Sequence, residues 1–154
     1  MVKISDDYLA GFVEGEGMFY IGIVPSKETI SGWQVIYFFK VSQNPSGEIV
    51  LDNLKKRLNC GYIKANSQTD STDRSLAFVV RNYNDLMYKV VPFFEEKIFI
   101  KKVNFEKFKQ VLSLVGQRKH LTKEGLSKII DLAYTMNTGK RKFSKEFILK
   151  SYKL

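Results

Sequence analysis

One cysteine and one histidine stand in 154 residues, and each near-absence removes a class of chemistry. Cys60 alone cannot form an intramolecular disulfide, nor a zinc site built from cysteine pairs, and it reads as a small core residue in a reducing compartment. His120 as the only histidine excludes catalysis by a histidine pair and nucleases built on histidine and zinc. Its setting, Gln117-Arg118-Lys119-His120-Leu121, is a polar connection between helices, where a solvated or phosphate-facing ring is expected. No apolar run is long enough to span a bilayer, and no signal-peptide pattern opens the chain. The expectation is a soluble intracellular protein without a membrane partner, organelle and bacterial cytoplasm being equally open. No internal repeat is visible.

Acidic residues are also in short supply. Against 16 Asp and Glu stand 25 Lys and Arg, a formal charge of +9 that suits a polyanionic partner, a membrane surface or an acidic protein. The length fits a single domain, residues 1–154, with one core.

The organising stretch is Leu9-Ala10-Gly11-Phe12-Val13-Glu14-Gly15-Glu16-Gly17. Ser5 is a suitable N-cap, Asp6 and Asp7 suit the positive first turn, and Gly17 fits just past the end, so a short helix is expected. Glu14 and Glu16 then place two negative charges at the negative end of the helix dipole, a conflict that a bound cation would remove. Gly11 and Gly15, one turn apart beside Ala10, form a flat strip where a second backbone could approach.

Leu9 to Gly17 resembles the signature helix of the LAGLIDADG homing endonucleases, and the order of elements that follows extends the resemblance over most of the chain. Met18–Lys27 reads as a strand and Trp33–Gln43 as its partner. In the second strand, Trp33, Val35, Tyr37, Phe39 and Val41 make one apolar face. Gln34, Ile36, Phe38, Lys40 and Ser42 make the other, with Ile36 and Phe38 unexplained. Asn44 and Pro45 open a helix carrying Ile49, Leu51, Leu54 and Leu58 at helical spacing. A second hairpin pairs Gly61–Ser67 with Arg74–Arg81 across a polar turn. Asn82–Phe94 reads as a helix broken at Pro92, and amphipathic helices follow over Lys101–Val115 and from Thr122 to Met136, with a last one from Ser144. The fold class is α+β: an αββαββα core with extra C-terminal helices, its curved four-stranded antiparallel sheet forming a DNA-binding saddle.

The resemblance implies a site-specific, metal-dependent double-strand DNA endonuclease. Glu16 becomes a catalytic metal ligand, Gly15 offers its carbonyl to the same ion, and Ala10, Gly11, Glu14 and Gly15 lie at the interface between two signature helices. Gln43 matches the strand-end glutamine that orders active-site water, and Lys97 matches the lysine that balances charge near the scissile phosphate. Plainer readings are a strand-end hydrogen bond and a solvated helix-start lysine. The loop Asn44-Pro45-Ser46-Gly47 carries no arginine where some relatives place a basic group. Because the chain holds one signature and a duplex has two strands, a homodimer on a long pseudo-palindromic site is expected, leaving short 3′ overhangs. Magnesium suits the hard oxygen donors, with Mn2+ or Ca2+ able to replace it for binding, and no small-molecule cofactor is implied. Candidate DNA contacts are Ser26, Glu28, Gln34 and Lys40 on the first hairpin and Lys64, Asn66, Gln68 and Arg74 on the second. Lys140 and Lys142 are better placed for phosphates. The alternatives are a non-cleaving DNA- or RNA-binding protein of the same fold, such as a maturase or regulator, and a plain basic interaction domain.

Overall fold

Ser5 caps the first helix as its sequence demands: in the computed structural model, which describes residues 3–153, its Oγ accepts the Tyr8 N–H at 3.1 Å. This helix, α1 (Asp6–Glu16), buries Leu9, Ala10 and Val13 and runs without a loop into strand β1 (Gly17–Pro25). Gly17 is needed there for closeness, not for handedness. Its backbone is extended, with φ −87°, and a Cβ would stand 2.7 Å from Val13 Cγ1 and 2.9 Å from Val13 O.

A tight turn, closed by the Ser26 N–H on the Gly32 carbonyl at 2.8 Å, leads to β2 (Trp33–Gln43). A 3-10 turn, Pro45–Gly47, precedes α2 (Glu48–Leu58), which buries Val50, Leu51, Leu54 and Leu58. Ile49 is half exposed instead, because at about 100° per residue it falls on the far side of the helix from Leu51 and Leu58, and Val50 completes the buried stripe. Asn59 (φ 55°) ends α2 in the left-handed region, and Gly61 (φ 81°) turns the chain into β3 (Tyr62–Ala65). Then comes β4 (Leu76–Val80), giving the sheet order β1-β2-β4-β3. In β2 and β4, Phe39 pairs with Val80 and Gln43 with Leu76; in β3 and β4, Tyr62 pairs with Val79.

Pro92 does not break the following helix. Helix α3 (Tyr83–Asp85) widens into a π turn at Leu86–Val90 and continues as α4 (Val91–Phe94), with the proline in its first turn, where the missing N–H costs nothing in a ladder already loosened. Helices α5 (Lys102–Gly116), α6 (Lys123–Ala133) and α7 (Lys145–Lys150) complete the chain, so the order is αββαββα with three further helices. On α5 the inward side chains are Phe105, Phe108, Val111, Leu112 and Leu114, while Val103 at its start is exposed. Helix α6 ends at Ala133, three residues before the expected Met136, which is nonetheless fully buried.

The chain groups into two compact units. One comprises the residues up to Phe19 with Phe38–Lys102, the other Tyr20–Tyr37 with the residues from Val103 onward. The first is centred on aromatic rings: Phe39 lies 5.2 Å from Phe19, 5.4 Å from Phe94 and 6.2 Å from Phe78, centroid to centroid. The second packs α5, α6 and α7 with the turn-side ends of β1 and β2. There Trp33 meets Phe143 at 5.1 Å and donates its indole N–H to Ser151 Oγ at 3.2 Å.

Candidate active site and nucleic-acid face

The two glutamates at the end of α1 have separate fates. The Glu14 carboxylate accepts the backbone N–H groups of Phe99, Ile100 (3.2 Å) and Lys101 (3.0 Å), the three residues that lead into α5. Its charge is therefore met by amide dipoles, and no cation is required at that position. Glu16 is exposed at the helix end and has no hydrogen-bond or ion-pair partner among the described residues. The electrostatic conflict read from the sequence survives at Glu16 alone.

Gly11 and Gly15 face outward, and a Cβ added at either would meet nothing within 4 Å. No contact among the described residues thus calls for glycine at these positions. Tyr8, 55% exposed, shares that face, being three residues before Gly11. Ala10 is turned inward at 4% exposure, so the open strip is Gly11 and Gly15 with Tyr8, and Glu14 is occupied inside its own chain.

At the end of β2, Gln43 folds its side chain back so that Oε1 accepts the Asn44 N–H at 2.8 Å. The side chain passes over Gly47, where a Cβ would stand 2.0 Å from Gln43 Cγ, so the missing side chain of Gly47 makes room for that pose. The amide Nε2 keeps two N–H donors for water or phosphate. Lys97 is half-buried, its ammonium 5.4 Å from the Phe93 ring centroid. The same ring carries the Arg57 guanidinium at 5.0 Å, and Arg57 grips Asp6 through two bonds of 2.8 and 3.0 Å. That guanidinium holds the Asp6 carboxyl below its usual range, with Lys97 adding to the effect. The Lys97 ammonium thus shares the Phe93 ring with the guanidinium that binds Asp6 at the start of α1.

On the hairpins, Glu28, Gln34, Gln68 and Arg74 are exposed, and Lys40 and Lys64 are half-buried. Ser26 is used in its turn, where its Oγ accepts the Glu28 N–H at 3.2 Å. Asn66 donates to Ser75 Oγ at 2.9 Å, while its Oδ1 is shielded without a partner. The two apolar residues left unexplained on the polar face of β2 now have reasons. Ile36 covers Gly22, whose Cβ would fall 2.9 Å from Ile36 Cγ1, and Phe38 carries the Arg81 guanidinium at 4.8 Å.

Lys140 and Lys142 are exposed, but Arg141 between them is not a surface charge. It lies between the rings of Tyr20 (5.1 Å) and Tyr134 (4.9 Å) and donates to the carbonyls of Ile21 (2.7 Å) and Ala133 (2.5 Å). Sequence reasoning missed Arg57, Arg81 and Arg141 because each acquires its role from a ring distant in sequence. His120 is half-buried with Nδ1 shielded and unpartnered, and burial together with Arg118 holds its pKa below the usual imidazole value. Burial likewise raises the Cys60 thiol pKa, helped by the Asp85 carboxylate, so it is a poor nucleophile.

No group of three His, Cys, Asp or Glu side chains that could hold a metal occurs among the described residues, and the end of α1 offers one unpaired carboxylate, Glu16, beside a helix-end carbonyl. Magnesium accepts such a donor set, since it is commonly bound by one or two carboxylates with phosphate oxygens and water. No helix among the described residues is long and apolar enough to cross a membrane.

A family model described as LAGLIDADG endonuclease matches residues 9–112, from the signature helix through most of α5. The chain belongs to the LAGLIDADG endonuclease family. It is 35% identical over 128 residues to "Probable intron-encoded endonuclease 2" of Neurospora crassa, a match covering 82% of this chain and 26% of that protein. The chain thus spans about a quarter of this curated relative. Among solved structures, the homing endonuclease I-TnaI is 35% identical, with 97% of each chain covered and a TM-score of 0.82. The archaeal intron-encoded homing endonuclease I-Vdi141I, solved in complex with DNA, is 25% identical over 95% of this chain and 92% of its own, with a TM-score of 0.84. The meganuclease I-SmaMI, also bound to DNA, is 30% identical with a TM-score of 0.80, and the match covers 88% of this chain but 46% of that one. One LAGLIDADG unit of this kind therefore corresponds to a whole chain in some relatives and to half of one in others.

Proposed function

We propose that this protein is a site-specific, divalent-metal-dependent DNA endonuclease that cuts both strands of a long pseudo-palindromic site as a homodimer, leaving short 3′ overhangs. The observation that carries the reading is the end of α1, where Glu16, unlike Glu14, stays exposed and unpaired beside a strip of outward glycines that no contact among the described residues explains. A second copy of the same helix, crossing at Gly11 and Gly15, accounts for both glycines and brings a second Glu16 into the site.

Glu16 and the Gly15 carbonyl are the residues assigned to hold the ion, for which Mg2+ is the natural choice and Mn2+ or Ca2+ a substitute for binding. When bound, the ion stabilises charge that develops on the phosphate and the leaving oxygen. Gln43, pinned by Asn44 and given room by Gly47, points its free amide N–H groups to order the attacking water. Lys97 is assigned by resemblance to charge balance at the scissile phosphate, for which its ammonium has to leave the Phe93 ring. The sheet supplies the DNA-reading surface through Gln34, Lys40, Lys64, Gln68 and Arg74, with Ser26, Glu28 and Asn66 shaping the hairpins, and Lys140 and Lys142 neutralise phosphates.

The test is a cleavage selection on a randomised duplex library with Mg2+, beside Glu16→Gln and a chelated control, with the molar mass in solution measured in parallel. Discrete double-strand cuts, abolished by both controls and made by a two-chain species, are expected. Enrichment of a bound sequence with no cut under any divalent ion would leave the DNA-reading surface and overturn the nuclease.

A further inference from the structure

Arg81, just past the end of β4, has no part in the assignments above. Its direction follows from the register. Phe39 pairs with Val80, both buried against the aromatic core, so the next pair outward, Phe38 and Arg81, points to the opposite, open face. Lys40 and Tyr62, both paired with Val79, share that face.

Two contacts fix the side chain there. The guanidinium lies 4.8 Å over the Phe38 ring, and Nε donates to Tyr62 Oη at 3.1 Å. Of the five guanidinium N–H groups one is thereby used, and the terminal nitrogens carry the other four with no partner among the described residues. The result is an exposed, oriented fork on the face assigned to the major groove.

Three acceptors suit such a fork: a carboxylate, a phosphate, and the O6/N7 edge of guanine. A carboxylate is absent from duplex DNA. A phosphate asks mainly for charge, which flexible lysines supply without prior ordering. An arginine already stacked and hydrogen-bonded has lost its rotamer freedom before DNA arrives, which favours a contact that depends on geometry. Nor does Arg81 belong to the catalytic end of the sheet: Phe38, whose ring it covers, is five residues from Gln43, roughly 17 Å at the rise of a strand. Resting on the endonuclease reading above, we propose that Arg81 is a specificity-determining residue that reads one guanine in each half-site through O6 and N7.

The experiment compares the wild type with Arg81→Ala, Arg81→Lys and Tyr62→Phe in site selection from the randomised duplex library, thermal denaturation confirming that each variant folds. The wild type is expected to enrich guanine at one position per half-site. Arg81→Ala should flatten that position alone and weaken binding of the wild-type site by about 5- to 140-fold for each of the two guanine contacts the dimer loses. Arg81→Lys should recover charge without the full preference, and Tyr62→Phe should lose less than Arg81→Ala because the ring stack remains. Replacing that guanine by 7-deazaguanine, which lacks the N7 acceptor, should weaken the wild type and leave Arg81→Ala unchanged. An unaltered base profile in Arg81→Ala overturns the proposal. So does a loss equal for all sequences with the slope of log K against log salt reduced by about 1 per subunit, about 2 for the dimer, which marks a phosphate contact. A wild type that selects no sequence at all refutes the DNA-reading function itself, and the assignment of Arg81 with it.

Discussion

Glu14 and Glu16 are two residues apart on one helix and chemically identical, yet the structure requires their removal to have opposite consequences. Glu14 accepts three backbone N–H groups from Phe99, Ile100 and Lys101. Hydrogen bonds to a charged acceptor contribute about 1.5–3 kcal/mol each, but Glu14 is half-exposed and water can replace part of what is lost. Glu14→Ala is therefore expected to destabilise the fold by about 2–4 kcal/mol in all, and Glu14→Gln by about 1–2 kcal/mol, since the amide keeps one acceptor oxygen but no charge. For a chain of this length these losses lower Tm by roughly 5–15 °C and 2–8 °C respectively. Glu16 has no hydrogen-bond or ion-pair partner among the described residues, so Glu16→Gln should abolish cleavage with Tm unchanged, or with stability raised by about a few tenths of a kcal/mol as the clash with the helix dipole goes. The assay is thermal denaturation by circular dichroism on the metal-free proteins, beside cleavage of the selected site at a temperature where all variants are folded. If Glu14→Ala melts with the wild type and loses cleavage, Glu14 belongs to the metal site and the internal clamp described here is wrong.

Gly47→Ala should drive the Gln43 side chain from its place, since the new Cβ would lie 2.0 Å from Gln43 Cγ, and cleavage should fall on the order of 10²-fold while DNA affinity is retained; equal losses of both would refute the proposed role of Gln43 in ordering water. Arg141→Ala should cost about 2–4 kcal/mol in stability by leaving two carbonyls and two ring faces without their partner, and Arg141→Lys should not restore it because an ammonium cannot reproduce the planar fork; urea denaturation measures both. Lys140→Gln and Lys142→Gln, in contrast, should leave the urea midpoint unchanged and each reduce the salt slope of DNA binding by about 0.9 per subunit, about 1.8 for the dimer. The Asp6–Arg57 pair lowers the Asp6 pKa in the folded state, so its contribution is present above the unfolded carboxylate value near 4 and is lost as pH falls through the lower folded value. Because both side chains are largely exposed, Asp6→Asn should lower stability by less than about 1 kcal/mol at pH 7 and by nothing measurable near pH 2, and a pH-independent loss would contradict this account.

Much of this molecule was determined by local pattern. The Ser5 cap, the alternation of β2, the apolar stripes of α2 and α5 and the final helix after Ser144 are set by contacts within a turn or two, which sequence spacing records directly. The signature from Leu9 to Gly17 identified the family, and the unexplained Phe38 marked a position that needed a partner. What lies between distant segments was not legible. Local rules expected Pro92 to end a helix, whereas a π turn before it absorbs the proline. Both signature glutamates looked like charges in search of a cation, and only the fold brings three amides from residues 99–101, some 85 positions later, to Glu14 and leaves Glu16 bare. Sequence spacing assigned no role to Arg57, Arg81 or Arg141. Phe93, Phe38, and the pair Tyr20 and Tyr134 make of them a helix anchor, an oriented fork on the sheet and a packed clamp. The reason is that a charge's role depends on which ring or carbonyl stands within about 5 Å of it, and that distance is created by folding, not by spacing along the chain.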